Sequence, residues 1–313
     1  MVSKKTHFFT ASGKNFFKAR RNTWQLYILL LPALLYIILF HYKPMYGVLI
    51  AFKNFSLKKG ILQSPWCGLE NFRQLFSSFW FPIILKNTIG ISLLSLLICF
   101  PMPIIVALML NELKNGKSKK IIQTVSYAPH FISTVVICGM LILFLSPSSG
   151  IINKLIEPFC KEPVYFLRDA QYFKGVFVLS DLWQGLGWGT IIYTAALAGV
   201  DKSLLEAAEM DGASRFQKIL YINLPVLIPT ILVLFILQCG SILSVGYEKV
   251  FLLQTDTNLR ASEVISTYVY KVGLQDNNFS FSTAADLFNS VVNASILIIV
   301  NTITNRINKN GLW

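Results

Sequence analysis

Apolar residues gather into six runs, at 24–40, 83–110, 123–145, 175–200, 222–245 and 287–304, with polar segments between them. A bilayer crossing needs about 20 predominantly apolar residues. The pattern therefore predicts six transmembrane helices and an all-α, polytopic membrane protein. The first run is short, with room for a further turn at either end. The second is long enough to tilt, and Pro101 and Pro103 inside it predict a kink, because proline removes a backbone donor and clashes with the preceding turn. The basic segment 1–23 leads into the first run without a small-residue cleavage site, so that run reads as a retained helix and not as a removed signal peptide.

Composition sharpens the class. Of 313 residues, 54% are hydrophobic and 14% charged, with mean hydropathy +0.57. Ordinary soluble domains carry roughly 25% charged residues. The net charge of +13 does not indicate a nucleic-acid partner, because the basic residues flank apolar runs instead of sharing one folded surface. Segments 1–23, 111–122, 201–221 and 305–313 hold 15 basic residues in 65, whereas 41–82, 146–174 and 246–284 hold 12 in 110. The positive-inside rule then places both termini and the 201–221 loop in the cytoplasm. Cys99, Cys138 and Cys239 lie within apolar runs and pack; Cys67 and Cys160 fall in loops on one side, where a disulfide is possible. The chain divides into a basic cytoplasmic segment (1–23) facing anionic lipid, a first helix with its outer loop (24–82), a five-helix core (83–305) and a cytoplasmic tail (306–313).

The most informative polar segment is 201–221. Ser203-Leu204-Leu205-Glu206 is a capping-box pattern that starts a helix at Ser203. Ala207 and Ala208 give that helix a thin surface, and Gly212 suits the left-handed turn that ends one. Ser214-Arg215-Phe216-Gln217 is a second capping box, and Pro225 and Pro229 predict a bend beyond it. The spacing serves two readings equally: an interfacial helical hairpin, or a rigid helix built to enter a groove of a partner.

The residues Glu206-Ala207-Ala208, Glu209, Asp211-Gly212-Ala213 and Leu224-Pro225, set between the fourth and fifth runs, resemble the "EAA" loop of permease subunits in binding-protein-dependent ABC importers. Pro44-Met45-Tyr46-Gly47-Val48, Gly68-Leu69-Glu70-Asn71-Phe72, Pro129-His130-Phe131 and Thr267-Tyr268-Val269-Tyr270 resemble the branch that imports complex sugars and polysaccharide fragments, with the maltose-importer permeases more distant. The resemblance spans nearly the whole chain. It implies the type I importer permease fold, a coupling helix at 203–213 resting on a cytoplasmic ATPase, and no catalysis by this chain. It further implies a second homologous permease, two ATPase copies binding ATP and magnesium, an extracytoplasmic solute-binding protein and an oligosaccharide substrate. No cofactor or metal is expected on the chain itself. Gly116-Lys117-Ser118 is not a nucleotide loop, since Asn111 stands where the first glycine of a P-loop is required.

Polar groups inside apolar runs mark either a pathway or helix–helix contacts. Sugars are held by aromatic faces together with amides and hydroxyls. Trp183, Gln184, Trp188, Tyr193, Gln238, Ser241, Asn289 and Asn293 supply that set, and Asn289 and Asn293 share a helix face. Packing against neighbouring helices explains the same residues as well, and the residues alone do not choose. Asp181 is placed to orient an outer loop, His130 reads as structural, and Tyr247, Glu248 and Lys249 are expected in an outer loop facing the binding protein. A stand-alone secondary transporter would need repeats and an ion site, and the chain has neither an evident repeat nor many intramembrane acids (Asp181, Asp286). A membrane enzyme would need a clustered metal or Ser/His/Asp set, and none emerges.

Overall fold

The computed structural model describes residues 24–114, 116–159, 162–308 and 311–312. Among these residues the chain is helical throughout, with one isolated bridge between Lys53 and Trp66. The long elements are α1 (Trp24–Ile37), α2 (Phe81–Cys99), α3 (Pro101–Glu112), α4 (Lys117–Tyr127), α5 (Thr134–Phe144) and α6 (Ala170–Leu197). They are followed by α7 (Lys202–Met210), α8 (Arg215–Lys218), α9 (Leu224–Cys239), α10 (Tyr247–Leu253), α11 (Leu259–Ser262), α12 (Ile265–Tyr270) and α13 (Phe279–Asn308).

The all-α class holds, but the six-span count is not reproduced. Among the described residues four helical stretches are long and apolar enough to cross a membrane, Leu26–Phe52, Phe81–Glu112, Arg215–Cys239 and Phe279–Ile307, or five if a bent pair of helices counts as one span. The run at 123–145 is not one helix but a pair, Lys117–Phe131 and Thr134–Phe144, bent by 101°. Pro129 and the extended Ile132 and Ser133 break it, and the Ser133 hydroxyl accepts from the Val136 N–H at 3.4 Å to start α5. α6 has 28 residues, about 42 Å at 1.5 Å per residue. Its lysine, aspartate, two glutamines and four glycines keep it below the apolarity of the other four. The run at 222–245 ends early, at Cys239. Beyond it, residues 240–246 turn, and the Asn293 side-chain carbonyl accepts from the Leu243 N–H at 3.0 Å while its amide donates to Ser244 Oγ at 3.1 Å. Freed backbone at membrane depth requires such a partner.

α6 is the central post and packs along α2 and α3. At one end its core is Phe173, Phe177 and Val178 against Ile91, Cys138, Val250 and Val264; at the other it is Tyr193 and Leu197 against Ala107 and Leu227. Gly187 lets α6 meet α4: a methyl there would overlap the Ser126 carbonyl. The kink expected at Pro101 is a break between α2 and α3 at Phe100. The stretch Leu26–Phe52 is entirely unburied in its apolar window, so none of the described residues covers it there. Cys138 and Cys239 are buried free thiols. Asn71 donates to Cys67 Sγ at 3.4 Å, and Cys160, its suggested partner, lies outside the described residues.

Candidate functional site

Two regions collect the predicted residues: the 201–218 loop at the C-terminal end of α6, and a cavity beside the middle of α6.

In the loop, α7 begins at Lys202, one residue before the expected Ser203. The cap is Asp201, whose carboxylate accepts from the Ser203 N–H at 2.9 Å. The expected Ser203/Glu206 box is thus replaced by a stronger acceptor two residues upstream. α7 ends as foreseen. Gly212 has φ +76°, its N–H donates to the Glu209 carbonyl at 3.1 Å, and the Ala213 N–H donates to the Ala208 carbonyl at 2.9 Å. That pair of bonds is a Schellman closure, which needs a residue tolerant of the left-handed region. The second capping box is complete: Gln217 N–H donates to Ser214 Oγ at 3.3 Å, and Ser214 N–H donates to Gln217 Oε1 at 2.7 Å. Lys218 then bridges back to Glu209 at 2.6 Å, tying the two short helices across the turn.

This stiff hairpin is uncovered. Met210 is 88% exposed and Phe216 72%, with Leu204 and Tyr221 also on the surface. Glu206, Ala207, Glu209, Asp211 and Gly212 are exposed, and Ala208 and Ala213 partly so. Behind the hairpin, a π turn (Ile219–Asn223) leads into α9 at Leu224-Pro225. Asn223 is fully buried and its amide donates to Glu112 Oε1 at 3.5 Å, which links the loop's exit to the end of α3.

The Lys218 ammonium holds the Glu209 carboxyl below its usual value, and the Ser203 N–H does the same for Asp201. A carboxyl lowered on folding stabilises the fold above its unfolded value, and that contribution vanishes as pH falls through the lowered value. Hydrogen exchange at the Ser203 and Gly212 amides is therefore expected to be flat from pH 8 to 6 after correction for intrinsic rates. It should accelerate only below the ordinary carboxylate range. Acceleration already at neutral pH would contradict the assignment.

The cavity has a volume of about 370 Å³. Asp181, Gln184, Gln238 and Ser241 line it, as do Ser92, Ser95, Thr134, Ser244, Tyr247, Glu248 and Lys249. Asp181 sits 16 residues before Leu197, about 24 Å along α6 from its hairpin end. Lys249 is only 5% exposed and donates to Asp181, which is 48% exposed, at 3.2 Å. Its ammonium also lies 5.7 Å from the centre of the Phe177 ring.

Tyr247, Glu248 and Lys249 open α10 and line this cavity. The break after Cys239 folds α10 back beside α5 and into the cavity. The signal for this in the sequence was the small-residue stretch Gly240-Ser241 to Ser244 and Gly246, which cannot sustain a helix as leucine does.

The remaining candidates lie elsewhere. Trp183 borders an apolar groove with Leu141, Phe144 and Leu179. Trp188 stacks on His130 with ring centres 4.4 Å apart. Tyr193 is buried among Ala107, Leu197 and Leu227, Asn289 is buried with its side-chain carbonyl unpartnered, and Asn293 holds the helix break. Gln184 has a structural task as well, donating to the Ile132 carbonyl at the α4–α5 bend at 3.4 Å. Among the described residues there is no cluster of His, Cys, Asp and Glu able to hold a metal.

A helical membrane chain with a rigid exposed loop between α6 and α9 has the organisation of a permease, and residues 99–310 match the family described as "Binding-protein-dependent transport system inner membrane component". The chain belongs to this family. The permease is 42% identical over 294 residues to Protein LplB of Bacillus subtilis (strain 168), covering 94% of this chain and 92% of that one. It is 40% identical over 288 residues to the polygalacturonan/rhamnogalacturonan transport system permease protein YteP of the same strain, covering 92% and 90%. Its fold is similar to that of a chain in the crystal structure of a bacterial ABC transporter involved in the import of the acidic polysaccharide alginate. The TM-score is 0.86, with 40% identity, 94% of this chain and 99% of that chain. An equal match, covering 95% of this chain, is to a bacterial alginate ABC transporter in complex with an alginate pentasaccharide-bound periplasmic protein.

Proposed function

We propose that this permease is one of two homologous transmembrane subunits of an importer that carries oligosaccharides or polysaccharide fragments across the bacterial cytoplasmic membrane. In this reading both termini and the 201–218 hairpin face the cytoplasm. Two copies of a separate ATPase bind ATP and magnesium there, and an extracytoplasmic binding protein delivers the sugar to the opposite face. The chain itself is non-catalytic. The observation that carries the reading is the hairpin: a doubly capped, salt-bridged helix pair whose apolar side chains, Met210 foremost, are left uncovered by the described residues. Rigid exposed apolar anchors are what a docking helix presents to a groove.

Closure of the ATPase pair on ATP would move α7. The buried Asn223–Glu112 contact and the π turn connect that movement to α3 and α9, the helices that pack on the lower half of α6. The paired permeases would then alternate between inward- and outward-facing states. Relatives that handle polygalacturonan, rhamnogalacturonan and alginate support a polysaccharide-derived cargo. The cavity offers Asp181 and Glu248 against the single Lys249, so preference for an acidic sugar belongs to the binding protein more than to this cavity.

The test is reconstitution with the ATPase subunits, the second permease and the binding protein. Gly212→Val forces a β-branched residue into the left-handed region, and Glu206→Lys reverses a charge on the exposed face of α7. Each is expected to lower substrate-stimulated ATP hydrolysis and uptake roughly tenfold or more while the permease still assembles in the membrane. Uptake and stimulated hydrolysis at wild-type levels in both variants would remove the hairpin from the coupling path.

A further inference from the structure

Three cations meet at the end of the molecule away from the hairpin. Lys86 on α2, Lys174 on α6 and Arg260 on α11 line one groove of about 680 Å³, with Phe79, Ile83 and Gln171. The transport reading assigns them no task. Lys174 stands 23 residues before Leu197, about 35 Å up α6 from the hairpin and thus one bilayer thickness away. None of the three is ion-paired among the described residues. Their convergence is built: Asn87 donates to the Arg260 carbonyl at 2.8 Å and the Glu263 carbonyl at 3.1 Å, and the Ile265 N–H donates to Thr88 Oγ1 at 3.0 Å. These bonds staple α11 onto α2 and hold Arg260 next to Lys86. The Lys174 ammonium lies against Gly90 in the crevice between α2 and α6.

Three like charges gathered without a counter-ion repel one another and call for an anion. The shape of the surroundings indicates which. Three, seven and eleven residues beyond Lys86, Ile89, Leu93 and Leu97 form an exposed stripe on α2 that continues toward the membrane interior. A cationic groove at one interface above an apolar stripe matches a phosphate headgroup above acyl chains. A sugar acid would call for amides and hydroxyls around its ring; of the two amides here, Asn87 spends its N–H groups on the Arg260 and Glu263 carbonyls, which leaves Gln171.

We propose that this groove binds the headgroup of an anionic phospholipid, with Lys86, Lys174 and Arg260 contacting its phosphate and the acyl chains lying along Ile89, Leu93 and Leu97. The assignment goes beyond the transport reading and holds whatever the cargo.

The assembled transporter is reconstituted in nanodiscs of equal phosphatidylglycerol and phosphatidylcholine, re-extracted, and its retained lipid counted by native mass spectrometry. Wild-type protein is expected to retain phosphatidylglycerol preferentially. Lys86→Gln/Lys174→Gln should lower that preference roughly tenfold, and Lys86→Arg/Lys174→Arg should keep it. The melting temperature in pure phosphatidylcholine discs should be the same for all three, which separates lost binding from lost folding. Equal retention by wild type and the Gln pair overturns the proposal. So does loss of binding-protein affinity in the Gln pair with lipid retention intact, which would assign the cations to the partner protein. Displacement of the retained lipid by millimolar inorganic phosphate, or by a galacturonate oligomer, would show recognition of a free anion and would also overturn it.

Discussion

Gly187→Val should cost the folded permease about 3 kcal/mol, the upper range for overpacking a close contact. The added carbons would meet the Ser126 carbonyl and carbonyl carbon, which are backbone, and the edge of the Tyr127 ring. A side chain can change rotamer to admit a methyl group; the main chain of α4 can yield only by sliding off α6. Gly185 provides the control, because a methyl built there meets nothing within 4 Å. Gly185→Ala is expected to be neutral or to stabilise by up to about 1 kcal/mol, as alanine does over glycine in a helix. Thermal unfolding of the purified, reconstituted transporter measures both. Equal melting temperatures for the two variants would mean that the α4–α6 contact is not as tight as drawn.

The Asp181–Lys249 pair should respond asymmetrically. Lys249 is nearly enclosed and Asp181 is half in water. Asp181→Asn leaves an ammonium buried beside Phe177 without its counter-charge. Breaking a fully buried pair costs roughly 3–5 kcal/mol, and the exposure of the Asp181 side of this pair reduces that to about 1–2 kcal/mol. Lys249→Met leaves a carboxylate that turns to the water already beside it, so the cost should be smaller. The double variant should recover most of what Asp181→Asn loses, which a double-mutant cycle reads directly. Additive losses would show that the 3.2 Å contact carries no coupling. The same cycle run on uptake separates a cavity whose fixed charge matters to transport from one in which the pair only pins α10 to α6.

How much of this was legible in the residues differs by element. The 201–218 hairpin was read nearly whole, because its determinants are local: Gly212 for the left-handed turn and Ser214 with Gln217 for the second cap lie within four residues of what they govern. The first cap was misplaced because Asp201 and Ser203 are both competent acceptors. The choice between them rests on backbone geometry, which composition does not carry. The cavity was half legible. Asp181, Gln184, Gln238 and Ser241 stood out as polar groups in apolar runs. Lys249 did not, because hydropathy places a lysine after the fifth run in a loop. The fold returns it inward through a break stabilised by Asn293, 50 residues away in sequence. The same holds for the 123–145 run: its apolarity predicts a span, while Pro129 and Ser133 turn it by 101°. Trp183, Trp188 and Tyr193 share a helix with Asp181, yet their angles around it direct them to an apolar groove, to His130 and to the core.

The π turn at Ile219–Asn223 has a geometrical corollary. Each α-helical residue advances the chain by 100° around the axis, and a π turn accommodates one residue more than an α turn over the same height. Deleting a single residue from 219–223 would therefore turn the π turn into an α turn and leave Met210 near its present bearing, whereas deleting one from the α-helical part of α9 would rotate the hairpin by about 100° around that helix. The π turn thus holds one residue of slack between hairpin and bundle, so a one-residue deletion at 219–223 should be tolerated far better than the same deletion within α9.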